Sequence, residues 1–235
     1  MSLLSTVALF LLLPLAAGAL VRIIRPEAQW LSLLLSFSGA FLLAVVFLHM
    51  LPELYAEEGA HIGLWVLGGF LLQVVLEFFS QGIEHGHIHH HGGKALPLVT
   101  LLSLCLHSFA EGMPFADPRV AGDLPFLFGV LLHKMPMAIA LATVLLRSGT
   151  GSASSWAMLV TFALAAPLGI GAGVLIGAGE GHGFLQHMLG LAIGMLLHIS
   201  TTIIFESAPD HRFNAKRFVA VAVGVVLALF SVHHH

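Results

Sequence analysis

The sequence contains few charged residues and only one cysteine. Asp, Glu, Lys and Arg together make up 9% of its 235 residues, whereas soluble domains carry about 25%. This shortage argues against a water-soluble globular protein. Because Cys105 is alone, no disulfide can form within the chain.

Long runs of apolar residues make up most of the sequence. Hydrophobic residues make up 58% of the chain, and eight runs each approach the roughly 20 residues that cross a hydrocarbon core. The alternation typical of a β-barrel is missing. We therefore expect an all-α, polytopic membrane bundle that forms one domain over residues 1–235. Its eight transmembrane helices, spans 1–8, have the approximate limits 3–21, 29–51, 62–82, 97–116, 124–147, 155–178, 184–205 and 216–232.

Basic residues in the loops predict the topology. They lie in alternate loops, and Arg119 is the only Lys or Arg in the remaining loops. By the positive-inside rule, the basic loops face the cytoplasm and both termini lie outside. The basic loops contain Arg22, Arg25, Lys94, Arg147, Arg212, Lys216 and Arg217.

The predicted cytoplasmic loop at 82–96 is rich in histidine and glycine. Neutral imidazole is a common transition-metal ligand, and short histidine tracts are typical of metal capture. A polar linker without a metal function is the alternative. The candidate ligands of this loop are His85, His87, His89, His90 and His91.

Two pairs of polar or soft side chains occur four residues apart inside spans 4 and 5. His107 and Glu111 form the first pair, and His133 and Met137 form the second, with Lys134 beside it. A spacing of four places each pair on one helix face, and ionisable groups at membrane depth are usually functional. Histidine, carboxylate and thioether suit a borderline or soft divalent metal. A structural network is the alternative, with Glu111 paired to Lys134 and the histidines hydrogen-bonded across the bundle.

Other polar residues lie in or near the ends of the spans. His49 and Glu53, four apart at the end of span 2, predict either a metal entrance or an interfacial polar pair. Glu206, at the end of span 7, predicts either a metal exit or a solvated helix end. His198 is expected to hydrogen-bond a neighbour, and Glu77 has no evident partner in the sequence.

Four segments resemble motifs of the ZIP (Zrt/Irt-like) metal transporters. The fourth-helix motif His-Asn-Phe-x-Asp-Gly resembles His107-Ser108-Phe109-Ala110-Glu111-Gly112. The fifth-helix motif His-Glu-x-Pro-His-Glu resembles His133-Lys134-Met135-Pro136-Met137. The ends of spans 2 and 7 are similar to the family's His-x-Leu-Pro-Glu and acidic-Pro endings, here His49-Met50-Leu51-Pro52-Glu53 and Glu206-Ser207-Ala208-Pro209. Eight spans, external termini and a histidine-rich loop after helix 3 also match, so the resemblance covers the whole chain.

This resemblance implies transport of a divalent cation towards the cytoplasm through a site between helices 4 and 5. Zinc is the expected cargo, with Fe²⁺, Mn²⁺ and Cd²⁺ as further candidates, and no prosthetic group is expected. Carried over by position, the metal ligands are His107, Glu111 and His133. Met137 stands where the family has a histidine or a carboxylate.

Several departures from the family pattern concern a second metal. Ser108 replaces the Asn, Lys134 replaces an acid, and Ala138 replaces the last Glu of the motif. Because the Lys134 ammonium stands where a second cation would sit, we expect one metal site only, with Lys134 as its built-in positive charge.

Two alternatives to transport remain open from the sequence. An intramembrane zinc hydrolase would use the same residues to activate water, although its His-Glu-x-x-His signature is absent. A ZIP relative that binds metal without transporting it is the second. We expect no enzyme activity and no nucleic-acid partner. The expected partners are the metal ion and the lipid bilayer, with a homodimer left open, in a plasma membrane or a bacterial inner membrane.

Overall fold

The computed structural model describes residues 1–24, 27–83, 98–180, 182–206 and 214–233. Almost all of these residues are helical, and no strand occurs among them. The helices are, in order, α1 (Leu3–Ile24), α2 (Ala28–Val45), α3 (Leu51–Glu58), α4 (Gly63–Ser80), α5 (Leu98–Gly112), α6 (Pro118–Gly122), α7 (Leu124–Arg147), α8 (Ser152–Glu180), α9 (His182–Glu206) and α10 (Ala215–His233).

Eight helical segments in the described ranges are long and apolar enough to cross a membrane. This confirms the predicted polytopic helical bundle. Span 4 corresponds to α5 with the 3₁₀ turn that follows it, and span 5 corresponds to α7. The side of the membrane on which the termini lie stays a prediction. The five histidines of the 82–96 loop lie outside the described residues.

Span 2 is interrupted by a π-helical turn at Val46–Met50, which joins α2 to α3 and carries His49. Pro52 follows closely and has no N–H to donate to the carbonyl of Leu48. The helix therefore widens locally instead of ending, and it continues to Glu58. Such turns within longer helices are frequent at functional sites.

α7 lies at the centre of the bundle and packs against α1, α2 and α8. In its most apolar stretch 78% of residues are buried, whereas the corresponding figure for the peripheral α10 is 11%. α5 packs against α8 and α4, and α4 packs against α9. α7 is therefore enclosed by the bundle, whereas α5 turns one face inward and leaves Leu98, Leu102 and Leu106 exposed on the other.

Two apolar clusters enclose a polar layer between them. One cluster includes Phe115 and Leu131, and the other includes Leu104 and Met137. The residues at 107–111 on α5 and 133–134 on α7 lie between these clusters along both helices. Apolar packing on either side keeps the polar layer away from the ends of the bundle.

Glycine allows α5 and α8 to approach closely beside this layer. A Cβ atom added at Gly169 would lie 2.1 Å from the carbonyl oxygen of Phe109, and one at Gly112 would lie 2.3 Å from that of Ala166. Real Cβ atoms do not come this close to another atom, so glycine fits at these two positions and a larger residue does not. Small residues commonly permit such packing between membrane helices.

We predict that Gly169→Ala destabilises the bundle by about 1–3 kcal/mol, because the methyl group forces α8 away from α5. Thermal unfolding of the purified protein in detergent measures this. Gly171→Ala, on the same helix, is the matched control because a Cβ there meets nothing within 4 Å. Equal melting temperatures for the two variants would contradict the close contact.

Candidate metal centre

Three side chains from α5 and α7 converge in the polar layer. His107, Glu111 and His133 are at most 1% exposed, and one candidate ligand atom from each lies within 4.8 Å of the others. The imidazoles of His107 and His133 are nearly perpendicular, with ring centres 6.1 Å apart. Ligand atoms on one zinc ion, each about 2.0–2.2 Å from the metal, lie roughly 3–4 Å apart. Small side-chain movements would therefore bring all three onto one ion.

His107 and Glu111 face each other along α5. The Nε2 atom of His107 lies 2.8 Å from Oε1 of Glu111, yet neither atom makes a hydrogen bond of acceptable geometry within the described residues. Both atoms are buried and both can donate an electron pair. The two atoms are therefore candidate ligands for one metal ion.

Gln73 on α4 orients the His107 ring, and sequence reasoning missed it. Its Oε1 atom lies 2.8 Å from Nδ1 of His107, and the amide is fully buried. An amide oxygen can only accept, so Nδ1 carries the hydrogen and Nε2 keeps its lone pair for a metal. The available signal was an amide four residues before Glu77 in a largely apolar span.

Lys134 occupies the other oxygen of Glu111. Its Nζ atom donates to Oε2 at 2.9 Å, and both side chains are completely buried. The ammonium also lies 5.6 Å from the ring centre of Phe10 and 5.8 Å from that of Phe162. The structural network considered as an alternative from the sequence also pairs Glu111 with Lys134. That ion pair is present, together with the three converging candidate ligand atoms.

Met137 is fully buried one helical turn beyond His133, in the apolar cluster that includes Leu104. Its role as a metal ligand stays a prediction. Ser108, where the family motif has Asn, is also buried, and its hydroxyl has no hydrogen-bond partner in the described part of the chain.

A second group lies where α3 and α7 begin. His49 places Nδ1 3.0 Å from Oε1 of Glu53 and Nε2 2.6 Å from Oδ2 of Asp123. Asp123 was not among the candidate site residues predicted from the sequence. An Asp two residues before Pro125 is a strong signal for a helix N-cap, and Oδ1 of Asp123 does accept from the Phe126 amide at 2.9 Å. Nothing in the sequence near Asp123 predicts its contact with His49.

His198 and Glu77 are partners across α9 and α4. Nε2 of His198 contacts Oε2 of Glu77, and Phe70 packs edge-on against the imidazole with ring centres 4.9 Å apart. A histidine and an acid that are each isolated in an apolar span are reasonable partners, and this signal was available. α9 ends at Glu206, whose side chain lies outside the described part of the structure.

Comparison with known proteins addresses the family. A family model described as ZIP Zinc transporter matches residues 82–231. The chain belongs to the ZIP family. It is 30% identical to zinc transporter ZIP13 of Pongo abelii over 94% of its own length and 73% of that protein. It is 33% identical to zinc transporter ZIP2 of Homo sapiens over 63% of the chain and 50% of that protein. It is 28% identical to zinc transporter ZIP1 of Mus musculus over 86% of the chain and 76% of that protein. The resemblance drawn from the motifs is confirmed.

We predict that Gln73→Leu lowers zinc affinity by about 10–100-fold, because the His107 ring loses the acceptor that holds its orientation. Calorimetry on purified protein, with the loop histidines replaced by Ser, measures this affinity. Gln73→Glu keeps an acceptor oxygen and should retain most of the binding. Unchanged affinity in a folded Gln73→Leu variant would exclude this role.

Proposed function

We propose that the protein transports zinc across the membrane, towards the cytoplasm, through one metal site between α5 and α7. The observation that carries this proposal is the convergence of His107, Glu111 and His133, all buried in the middle of two spans. Two imidazole nitrogens and a carboxylate oxygen are a ligand set that suits zinc. Membership of the ZIP family and the zinc transporters among the relatives support the same cargo. Met137, one turn from His133, is proposed as a soft fourth ligand.

The position of Lys134 supports a single metal rather than two. Its ammonium takes the second oxygen of Glu111 at 2.9 Å. A second divalent cation at this position would be repelled by a fixed positive charge a few ångströms away, and the repulsion is strong where water is scarce. Lys134 is proposed to take the place of that second ion.

The path to and from this site is proposed from the remaining polar groups. His49, Glu53 and Asp123 form an entrance group at the end of the bundle where α3 and α6 lie. Glu206 is proposed to assist release at the other end. The loop histidines, His85, His87, His89, His90 and His91, are proposed to capture released metal and to tune the rate.

Uptake of radioactive zinc into proteoliposomes tests the proposed function. His107→Ala should reduce uptake to the level of empty vesicles, because the site loses a nitrogen ligand. Glu111→Gln should do so without leaving a cavity. His61→Ala is the matched control, since His61 is exposed and does not belong to the group of three converging side chains. If wild-type protein binds zinc but shows no uptake, the chain is a ZIP relative that does not transport. Competition of Fe²⁺, Mn²⁺ or Cd²⁺ with zinc uptake would show which of these ions is also transported.

Lys134→Glu provides a separate test of the one-metal site. The substitution replaces a cation with an oxygen ligand beside Glu111, so the bound stoichiometry should rise from about one zinc towards about two. Native mass spectrometry of protein whose loop histidines are Ser measures the ratio. Lys134→Leu removes the charge without adding a ligand atom and should stay near one. Two zinc ions between α5 and α7 of the unmodified protein would rule out the single-site proposal.

A further inference from the structure

A cavity of about 80 Å³ opens at the α6 end of the bundle, the end at which α3 and α6 lie. One water needs only roughly 10–15 Å³, so the cavity can hold an ion with several of its waters. Met50, Leu54, Val120 and Leu189 supply apolar wall. The polar lining comes from Glu53, Glu57, Asp117, Asp123, Arg119 and Gln186.

Gln186 contributes an unsatisfied oxygen to this lining. The residue is 5% exposed, and its Nε2 atom donates to Oε2 of Glu57 at 3.1 Å. That hydrogen bond fixes the amide and leaves Oε1 buried without a hydrogen-bond partner among the described residues. Buried acceptors are normally satisfied, so an oxygen held in this way points to a ligand.

Arg119 places a positive charge against the same carboxylates. Its guanidinium lies 3.2 Å from Asp117 and 3.8 Å from Glu57. The hydrogen bond to Asp117 raises the pKa of the guanidinium above its ordinary value. About half of the side chain remains exposed to solvent. Four acids against one arginine leave the cavity negative even with Arg119 in place.

We propose that this cavity is a second cation site, which binds a partly hydrated divalent ion through Gln186 Oε1 and the carboxylates of Glu57 and Asp117. Arg119 is a tethered competitor that occupies the carboxylates when the ion is absent. Amide and carboxylate oxygens suit hard cations such as Ca²⁺, Mg²⁺ and Mn²⁺. The site therefore differs in donor chemistry from the nitrogen-containing centre between α5 and α7. It goes beyond the proposed transport and does not require it.

Mn²⁺ binding to purified protein tests the site. His49→Ala, His107→Ala and His133→Ala, with Ser at the loop histidines and the terminal His233–His235 removed, leave oxygen ligands as the main donors. This background should bind one Mn²⁺, counted by the loss of the free-ion electron paramagnetic resonance signal. Adding Gln186→Leu should weaken binding at least about tenfold. Adding Arg119→Leu should strengthen it severalfold, because the competing guanidinium is gone and no new ligand atom is introduced.

Gln29→Leu is the matched control, since Gln29 is exposed at the start of α2, at the opposite end of the bundle. Binding by the Gln186→Leu variant equal to that of Gln29→Leu would overturn the proposal, as would a folded background that binds no Mn²⁺. If the background does not fold, titration of the otherwise unmodified chain with Ca²⁺ gives the same comparison, because Ca²⁺ takes oxygen ligands. These experiments read binding alone, so failure of zinc uptake would leave their outcome unchanged.

Discussion

The ion pair between Glu111 and Lys134 is the constraint on which the rest of the centre depends. A carboxylate at membrane depth is costly unless a counter-charge and hydrogen bonds accompany it. Lys134 supplies the charge from α7 at 2.9 Å, and it takes only one of the two oxygens. The other oxygen is left facing Nε2 of His107. Loss of either partner would strand a buried charge, so α5 and α7 must keep their relative positions. The glycine contacts with α8 and the two apolar clusters hold them there.

The same ion pair bears on how tightly a metal would be held in the proposed mechanism. A dication bound by Glu111 would also lie close to the ammonium of Lys134, and their repulsion subtracts from the attraction of the carboxylate. Ions that must pass through a membrane protein need sites favourable enough to enter yet weak enough to leave. In the proposed mechanism, the fixed lysine would give that balance without a second metal. Gln73 acts in the opposite direction, since it holds His107 ready to bind.

The sequence predicted local features well and contacts between distant segments poorly. Length and apolarity were sufficient for eight spans, and span 5 was expected at 124–147, where α7 is found at Leu124–Arg147. Span 2 was expected to end near 51, but the π-helical turn carries the helix on to Glu58. Pairs four residues apart on one helix, such as His107 and Glu111, follow from helix geometry. Gln73 against His107 and Asp123 against His49 depend on how helices pack, which local spacing does not specify.

Asp123 shows how one carboxylate can serve both the fold and a proposed metal path. Its Oδ1 atom caps the first turn of α7 through the Phe126 amide, and its Oδ2 atom contacts His49 on the π-helical turn. A metal at the entrance group would compete for Oδ2 while Oδ1 kept the cap in place. The start of α7 would then stay fixed during binding, and with it the register that brings His133 and Lys134 to Glu111. Because Oδ1 caps the helix and Oδ2 contacts His49, metal could enter at this end of the bundle without loosening α7, which carries part of the central site.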